Sequence, residues 1–572
     1  MNGKILVSGV SIILVVGVAI GVVVVVNKKD DPALAAHEKN VQTMCQTTED
    51  QKLCHDTLGS VKPANSSDPT AYLAAAVQAS AQSVILALNM SDKLTVEHGK
   101  DKPGVKMALD DCKDLMQFAL DSLESSANLV RDNNIQAIHD QTPDFRNWLS
   151  AVISYQQSCM DGFDNGTDGE DQVKKQLQTE SLDQMEKLTG ITLDIVTSMS
   201  NILQTFDLKL DLNPASRRLM EANEIDDEGL PKWFSAADRK LLANAGGGPP
   251  PNAVVAKDGS GKFKTVKEAI DSYPKGFKGR YIIYVKAGVY DEYITIPKTS
   301  INILMYGDGP TKSIITGHKN FVDGVKTMQT ATFANVANGF IAKSIAFENT
   351  AGPAKHQAVA FRNQGDMSAF FDCAMHGFQD TLYVQANRQF YRNCEISGTI
   401  DFIFGSSPTL IQNSRIIVRK PGPSQFNTVT ADGTKQRNMA TGIVIQNCEI
   451  VPDRDLFPVR NQVKSYLGRP WKDFAKTVFM ESNIGDVIAP EGWTPWAGTQ
   501  FLDTLYYAEF ANTGPGANLN ARVKWKGYHP QISKNEATQF TAANFLKAGP
   551  GGKADDWLKA TGIPYAIGFE KA

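Results

Sequence analysis

A repeat of about 21 residues in the second half of the chain limits the fold more than any other feature. The segment FFDCAMHGFQDTLY (Phe370 to Tyr383) aligns with FYRNCEISGTIDFIF (Phe390 to Phe404), which brings Cys373 onto Cys394. A period in the low twenties, rich in β-branched residues, Asn and Gly, predicts a solenoid of stacked β-coils. Because short β-rich runs dominate from Val254 onward, we expect an all-β, right-handed parallel β-helix whose irregular C-terminal tail packs back onto the coils.

Two pairs of polar side chains lie about one period apart. Asp380 and Asp401 are separated by 21 residues, and Gln357 and Gln379 by 22. Neighbouring coils are about 4.8 Å apart, so residues one period apart should stack on each other. Two stacked carboxyl groups cannot both ionise cheaply, which predicts one acid and one nucleophile or base. The alternatives are calcium binding by the carboxylates and an amide ladder formed by the glutamines.

The first half of the chain has helical periodicity instead. Between residues 38 and 206, apolar residues recur at the spacing of one helix face, for example from Cys112 to Val130 and from Leu188 to Ile202. Four such segments joined by short polar loops predict an all-α, up-and-down four-helix bundle that precedes the β-helix.

The two halves carry opposite net charge. Residues 1–244 have a net charge of −13 and residues 245–572 a net charge of +9. A basic second half indicates an anionic partner or substrate, which an acidic first half could shield. The alternative is two independent domains with different surface charge.

The chain begins with an apolar run of 22 residues, Ile5 to Val26, flanked by lysines. This length spans a bilayer, so residues 1–29 are predicted to be a signal-anchor, with cleavage as the alternative. Glycosylation sequons at Asn65, Asn89 and Asn165 support a luminal C-terminal part. We therefore expect a secretory-pathway protein that is anchored to the membrane as a precursor.

The seven cysteines fall into two groups. Four lie in the helical half, and an even set in a secretory chain predicts two disulfide bonds: Cys45, Cys54, Cys112 and Cys159. Three lie in the β-rich half at equivalent coil positions, where buried stacking is favoured over a disulfide: Cys373, Cys394 and Cys448.

Residues 207–250 read as a linker, because they are polar and end in a Gly/Pro run. Two dibasic pairs lie in it, Arg217-Arg218 and Arg239-Lys240. Dibasic pairs in an exposed linker are candidate processing sites.

Five segments together resemble the signature of plant pectin methylesterases. They are GVYDE (288–292), HQAVAFR (356–362), FQDTLY (378–383), DFIFG (401–405) and LGRPW (467–471). The resemblance covers residues 251–567, and the helical region resembles the pectin methylesterase inhibitor fold. It implies a pectinesterase precursor with an inhibitor-like pro-region at 38–206, and disulfides Cys45–Cys54 and Cys112–Cys159.

The resemblance also implies a chemistry. Asp401 is the nucleophile that attacks the C6 methyl ester of galacturonate, and Arg469 keeps it ionised. Asp380 protonates methanol and then activates water against the acyl-enzyme, while Gln357 and Gln379 donate to the carbonyl oxygen. Trp471, with Trp493 or Trp496, offers flat faces to the sugar rings, and Gln357 and Arg469 also contact substrate. No cofactor or metal is expected.

The implied substrate is homogalacturonan (pectin), which is hydrolysed to pectate and methanol in the extracellular cell wall. The other expected partners are the pro-region, a processing protease and the membrane during transit; no nucleic acid is expected. Rival interpretations keep the fold but make the chain a pectate lyase or polygalacturonase, whose residue arrangements are missing around Asp380 and Asp401. Another rival is a binding protein with an inert β-helix.

The sequence departs from the usual family pattern at four positions, Met328, Phe361, Phe378 and Gln385. We expect these side chains at the cleft surface, where they would alter substrate subsites rather than the reaction.

Overall fold

The computed structural model describes residues 32–61, 69–100, 102–163, 168–206, 251–549 and 555–570. Helices fill the first part of this range and strands the second, as the two periodicities predict. The predicted signal-anchor, the linker with both dibasic pairs, and the sequon residues Asn65 and Asn165 lie outside the described residues.

The N-terminal part is a helix bundle, which confirms the all-α prediction. Its helices are α1 (Pro32–Cys45), α2 (Gln51–Leu58), α3 (Thr70–His98), α4 (Pro103–Asp132), α5 (Ile135–Asp140), α6 (Thr142–Asp161), α7 (Asp168–Leu177), α8 (Asp183–Thr197) and α9 (Met199–Thr205). A π-helical stretch, Gln178–Leu182, makes α7 and α8 continuous. Helices α3, α4, α6 and the α7–α8 run enclose one apolar core. Disulfides Cys45–Cys54 and Cys112–Cys159 join α1 to α2 and α4 to α6.

Helix α3 is long and apolar enough to cross a membrane. It packs instead against α4 and α8, and Leu73, Val77, Val84 and Leu94 are buried in the bundle core. Asn89 is exposed on this helix, whereas Ser91 of the same sequon is buried and donates to the Ala87 carbonyl. The apolar character of α3 is therefore that of a core helix.

The second part is a parallel β-helix of three sheets, as predicted. Its strands are β1 (Ala253–Val255), β2 (Tyr281–Val285), β3 (Gly288–Asp291), β4 (Ile294–Ile296), β5 (Ile303–Gly307), β6 (Ser313–Gly317), β7 (Phe333–Asn335), β8 (Ile341–Lys343), β9 (Ala346–Asn349), β10 (Phe361–Asn363), β11 (Ser368–Phe371), β12 (Ala374–His376), β13 (Leu382–Val384), β14 (Gln389–Arg392), β15 (Glu395–Gly398), β16 (Ile403–Gly405), β17 (Pro408–Gln412), β18 (Arg415–Val418), β19 (Asn427–Asp432), β20 (Gly442–Gln446), β21 (Glu449–Pro452), β22 (Ser465–Gly468), β23 (Lys476–Met480), β24 (Asn483–Ile484), β25 (Tyr506–Phe510) and β26 (Tyr528–His529).

Successive strands visit the three sheets in turn, and the strand pairs are parallel. The eleven-stranded sheet has the order β1-β2-β5-β8-β11-β14-β17-β20-β23-β25-β26, the seven-stranded sheet β4-β7-β10-β13-β16-β19-β22, and the eight-stranded sheet β3-β6-β9-β12-β15-β18-β21-β24. A short helix, α10 (Val266–Asp271), follows β1. The seven-stranded sheet carries the candidate site on its outer face.

The predicted period holds in the central coils but not throughout. Leu382 pairs with Ile403, a step of 21 residues, whereas Phe333 pairs with Phe361 after 28 and Gln412 with Gln446 after 34. Loops inserted at the turns between strands lengthen these coils without disturbing the stacking.

Asparagine recurs in the sequence because each coil needs a residue of positive φ. Asn393, Asn413 and Asn447 each follow a strand of the eleven-stranded sheet, with φ of 52°, 48° and 50°. Asn tolerates this left-handed conformation better than most residues. The Asn413 amide donates to Asn393 and the Asn447 amide to Asn413, which forms a ladder along the turn.

The C-terminal tail packs back onto the coils, as expected. Helices α11 (Lys534–Thr538), α12 (Ala542–Phe545) and α13 (Asp555–Thr561) lie over the outer face of the eleven-stranded sheet. Trp557 and Leu558 are buried there against Phe390 and its apolar neighbours. This layer leaves the outer face of the seven-stranded sheet free of the tail.

Candidate active site

The two aspartates stack on adjacent coils, as the repeat predicts. Asp380 lies two residues before Leu382 in β13 and Asp401 two residues before Ile403 in β16, and these two strand residues are direct partners. Both aspartates have positive φ, 64° and 50°. This conformation is uncommon for residues other than glycine, and such backbone strain clusters at functional sites.

Asp401 is held as a paired carboxylate. Arg469 Nη2 donates to Asp401 Oδ2 at 2.6 Å, and Arg469 Nε donates to Oδ1 at 2.9 Å. Thr428 Oγ1 donates to Oδ1 at 2.6 Å and in turn accepts from the Asp401 backbone N–H. A bidentate guanidinium and a hydroxyl donor both favour the ionised form of a carboxyl group. The arrangement orients one charged carboxylate.

Asp380 has the opposite environment. Its side chain is buried, and among the described residues no hydrogen bond reaches its carboxyl group. Burial raises the pKa of Asp380 well above its usual range, the neighbouring Asp401 raises it further, and Arg469 opposes the shift in part. The two aspartates therefore have different environments: burial favours the protonated form of Asp380, whereas Arg469 and Thr428 bind the carboxylate of Asp401, which is the division of roles that an acid and a nucleophile require.

Gln357 and Gln379 lie in the same pocket as both aspartates. The backbone N–H of Ala358 donates to the Gln379 carbonyl, so the two glutamines belong to adjacent coils. Gln379 Oε1 is buried without a hydrogen-bond partner in the described part of the chain. The two amides are placed to form hydrogen bonds with a ligand rather than with each other.

An apolar surface extends from the acidic pair along the outer face of the sheet. Alternation along β13 and β16 turns Leu382 and Ile403 inward to the core and Tyr383 and Phe404 outward, where their rings stack at 4.3 Å. Trp471 meets Phe404 edge-on at 5.9 Å. A Cβ on Gly433 would lie 3.0 Å from the Trp471 ring, so a larger residue at position 433 would push the indole from this position by a few tenths of an ångström.

Of the two tryptophans in the GWTPW segment, Trp493 and Trp496, only Trp496 lies at the site. Its ring stacks on the Arg469 guanidinium at 4.2 Å and lies 6.5 Å from Trp471. Trp493 is 1% exposed, stacks on Tyr507, and donates to Glu509, so the prediction that it could be a sugar platform is wrong. Trp493 forms a backbone bridge with Gly468, and its side chain lies in the apolar core of the coils.

The four unusual positions do not all face the cleft, contrary to expectation. Phe361 is fully buried in the core against Phe333 and Phe370. Gln385 is buried and accepts from Arg362, while its amide contacts the sulfur of Met328. Met328 does line the pocket.

Phe378 lies beside Arg419, whose guanidinium is 3.9 Å from its ring. This contact is on the side of the coil that holds His376 and Glu348, outside the pocket with the aspartates. Of the four positions, therefore, only Met328 lines the candidate site.

The helix bundle forms one wall of the pocket and covers it. The cavity of about 210 Å³ is lined by Gln357, Gln379, Asp380, Asp401, Arg469, Trp471 and Trp496 from the β-helix and by Asp111, Ser158, Asp161 and Gly162 from the bundle. Ser158 Oγ lies 2.9 Å from Tyr383 Oη, and Ser154 donates to the Ser406 carbonyl. Helix α6 therefore runs directly over the strands that carry the aspartates.

Ion pairs surround this contact. Lys326 donates to both carboxylate oxygens of Glu170 at 3.0 Å, with side chains only 3% and 5% exposed. Arg388 binds Asp144 at 2.6 Å, and Lys472 binds Asp161. The exposed pair Lys298–Asp121 lies at the edge. In each pair the acid belongs to the bundle and the base to the β-helix.

Motif reasoning missed several residues of the site. Thr428, Lys326 and Lys472 lie outside the five signature segments, although Lys472 directly follows one. The stacking rule could have found Thr428, because it lies in β19 two residues before Thr430, the partner of Ile403, and so stacks on Asp401. Nothing in the local sequence marks Lys326 as the partner of a residue on the bundle.

The comparisons with known proteins agree with this geometry. Residues 252–549 match the pectinesterase family, and residues 39–195 match the plant invertase/pectin methylesterase inhibitor family. Pectinesterase 4 of Arabidopsis thaliana is 42% identical over 610 residues and covers 100% of both chains. A pectinesterase/pectinesterase inhibitor of Brassica campestris is 40% identical over 592 residues, covering 97% of this chain and 100% of its own.

Among solved structures, pectin methylesterase from carrot matches 56% of this chain and 98% of its own, with 50% identity and a TM-score of 0.54. The chain therefore belongs to the pectinesterase family, with a pectinesterase domain preceded by an inhibitor-like helical domain. The family resemblance in the sequence is confirmed.

Proposed function

We propose that the β-helix domain hydrolyses the C6 methyl esters of homogalacturonan to pectate and methanol, and that the helix bundle keeps the precursor inactive. The observation that carries the first part is the stacking, on adjacent coils, of Asp401, which Arg469 binds in a bidentate contact, and Asp380, whose carboxyl group is buried. The observation that carries the second is the bundle lying over this pair.

Asp401 acts as the nucleophile. Its carboxylate is held and oriented by the bidentate contact with Arg469, and its attack on the ester carbonyl forms an acyl-enzyme anhydride. Asp380, in its protonated form, donates its proton to the departing methoxide oxygen, which leaves as methanol. The resulting Asp380 carboxylate then takes a proton from water, which attacks the acyl-enzyme and frees Asp401 and the galacturonate.

The glutamines stabilise the oxyanion. Negative charge grows on the ester carbonyl oxygen during attack, and donors that are already in place stabilise it without reorganisation. Gln357 and Gln379 are the amides of the pocket that can supply such donors. Trp471 and Trp496 offer flat faces to the sugar rings beside the reacting unit, while Gln357 and Arg469 also contact substrate.

The bundle inhibits by occupying the cleft. Asp161 and Asp111 bring carboxyl groups into the pocket in the region where a galacturonate chain would run, and α6 covers Tyr383. Since Lys472 is already bound by Asp161, the substrate must displace the bundle before it reaches this cation.

We place maturation in the secretory pathway. Residues 1–29 anchor the precursor to the membrane, a protease cuts at Arg217-Arg218 or Arg239-Lys240, and the mature enzyme acts in the cell wall. The sequons Asn65, Asn89 and Asn165 carry glycans on the luminal side. The support is the apolar run, the dibasic pairs in a Gly/Pro-rich linker and the family's plant relatives.

The test is methanol release from esterified pectin by protein secreted from a plant host. Asp401→Asn should lower the rate by several powers of ten, because loss of a nucleophile costs several kcal/mol of barrier. Asp486→Asn is the control, since Asp486 is exposed, pairs with Arg460 and does not line the pocket. Activity of Asp401→Asn within about tenfold of the parent would contradict the assignment.

The same sample tests maturation. N-terminal sequencing should give a start between Leu219 and Asn252. An active secreted enzyme that still begins before Cys45 would show that cutting is not required.

A further inference from the structure

A second cavity, of about 860 Å³, lies at the junction of the bundle and the β-helix, away from the aspartates. Its floor is the strand-start edge of the eleven-stranded sheet, at β14, β17, β20, β23 and β25. One wall is the first turn of α6, and the other is formed by α11 and α12 of the C-terminal tail. Pockets of 300–1,000 Å³ are the usual size for ligand sites.

The cavity is rich in positive charge. Its lining cations are Arg146, Arg388, Arg437, Lys476, Lys526 and Lys547, and its lining acids are Asp503 and Glu536. Arg388 is neutralised by Asp366 and Asp144. In the part of the chain that the structure describes, the other five cations form no ion pair.

Two of these cations, Arg146 and Lys476, have fewer hydrogen-bond acceptors than they have donors. Arg146 donates through Nη2 to the Asn438 carbonyl, but its Nε is buried without an acceptor. The Lys476 ammonium has only a long contact, 3.5 Å, to the Met439 carbonyl. Burial lowers the pKa of Lys476 to about 8, and the nearby Arg146 adds to the shift against the attraction of Asp432. A bound anion would supply an acceptor for Arg146 Nε and a counter-charge for the Lys476 ammonium.

The cavity is also lined by aromatic rings, which distinguishes a sugar site from a simple anion site. Phe474, Tyr506, Phe540 and Phe545 contribute to its walls, and Arg437 lies 5.5 Å from the Phe474 ring. Flat apolar rings beside cations suit the faces and carboxylates of uronic acid sugars, whereas inorganic phosphate would use the cations alone.

We propose that this cavity binds a short, de-esterified galacturonate oligomer. Its complete set of lining cations is present only in the precursor. Arg146 comes from the bundle and the other cations from the β-helix domain, so a ligand held by both sides also strengthens their contact. That the ligand is the product of the reaction rests on the proposed function, but the binding itself needs no catalysis.

The experiment is isothermal titration calorimetry of trigalacturonate into the full-length chain. Arg437→Gln with Lys526→Gln, both exposed side chains, should weaken binding by about tenfold or more, as expected when charged hydrogen-bonding groups are removed. Lys524→Gln is the matched control: it is exposed, two residues from Lys526, and outside the cavity lining. Trp471→Ala, in the cleft, should leave the affinity unchanged.

Four results would overturn the proposal. They are no binding at millimolar ligand, equal loss in Lys524→Gln and in the double variant, loss in Trp471→Ala instead, or competition by inorganic phosphate at the same concentration as trigalacturonate. Failure of the proposed esterase activity would appear separately, as missing methanol release with the binding intact.

Discussion

The buried ion pair between Lys326 and Glu170 should control how firmly the bundle closes the cleft. Replacing Glu170 with Gln leaves the Lys326 ammonium between the two domains without a counter-charge. Breaking a buried pair by removing one partner costs about 3–5 kcal/mol. At about 1.4 kcal/mol per factor of ten, the closed form should be weakened by about 100- to 5,000-fold.

The assay is the initial rate of methanol release by the uncut full-length chain. When the closed form dominates, the rate is proportional to the small open fraction, so the fold-change in closure appears directly as a fold-change in rate. Glu170 lies on the bundle, and the residues that perform catalysis are unaltered in this variant. The rate of Glu170→Gln should therefore rise by up to the calculated factor, until the open form predominates.

Asp121→Asn provides the matched control. Asp121 pairs with Lys298 across the same interface, but the two side chains are 39% and 46% exposed. Exposed pairs contribute about 0.2–1 kcal/mol, so this variant should change the rate by no more than about fivefold. Equal rates for the two variants would refute the argument that the buried pair holds the cleft closed.

Three further predictions concern the same interface and site. Burial raises the pKa of Asp111 to about 7, so the closed form retains a proton that the open form loses above about pH 4. Closure should therefore weaken as pH rises from about 4 to 7, by at most tenfold per pH unit. The rate of methanol release by the parent chain, divided by that of Asp111→Asn, should therefore rise between about pH 4 and 7 and level off above that range. A ratio that does not change with pH would contradict this prediction. Asp380→Asn should lower methanol release by about 100-fold or more but change the thermal unfolding midpoint little, because burial already favours the uncharged form of Asp380. Asp401→Asn should lower that midpoint more, since it leaves Arg469 without its anion; the reverse order would contradict the assigned charges.

The repeat was sufficient to predict the stacking of the two aspartates. Side chains one period apart must lie on neighbouring coils, and Asp380 and Asp401 do so because the step at that point is 21 residues. The same reasoning fails at longer coils such as that between Gln412 and Gln446, because inserted loops have no fixed length. The solenoid was therefore predictable as a class, but its register was predictable only where the turns are short.

Which tryptophan faces the substrate was not predictable from GWTPW alone. Trp493 and Trp496 are three residues apart in a segment between strands, and no alternation applies there. Tertiary contacts decide the outcome, since Trp493 finds a buried acceptor in Glu509 while Trp496 finds the Arg469 guanidinium. The burial of Phe361, in contrast, was predictable. Side chains alternate between the two faces of strand β10, so Phe361 must point inward if its neighbour Arg362 points outward.

The opposite net charges of the two halves appear at the interface as ion pairs. Glu170, Asp161 and Asp144 of the bundle bind Lys326, Lys472 and Arg388 of the β-helix. Pairs that are buried are screened little by salt, so a rise in ionic strength should not open the precursor. Cutting the linker acts differently: it turns an intramolecular contact, with an effective concentration on the order of millimolar, into a bimolecular one that dilution can break. Removal of the bundle then leaves Lys326 and Lys472 without their acidic partners beside the cleft, where an anionic polysaccharide can take the place of the bundle's carboxylates.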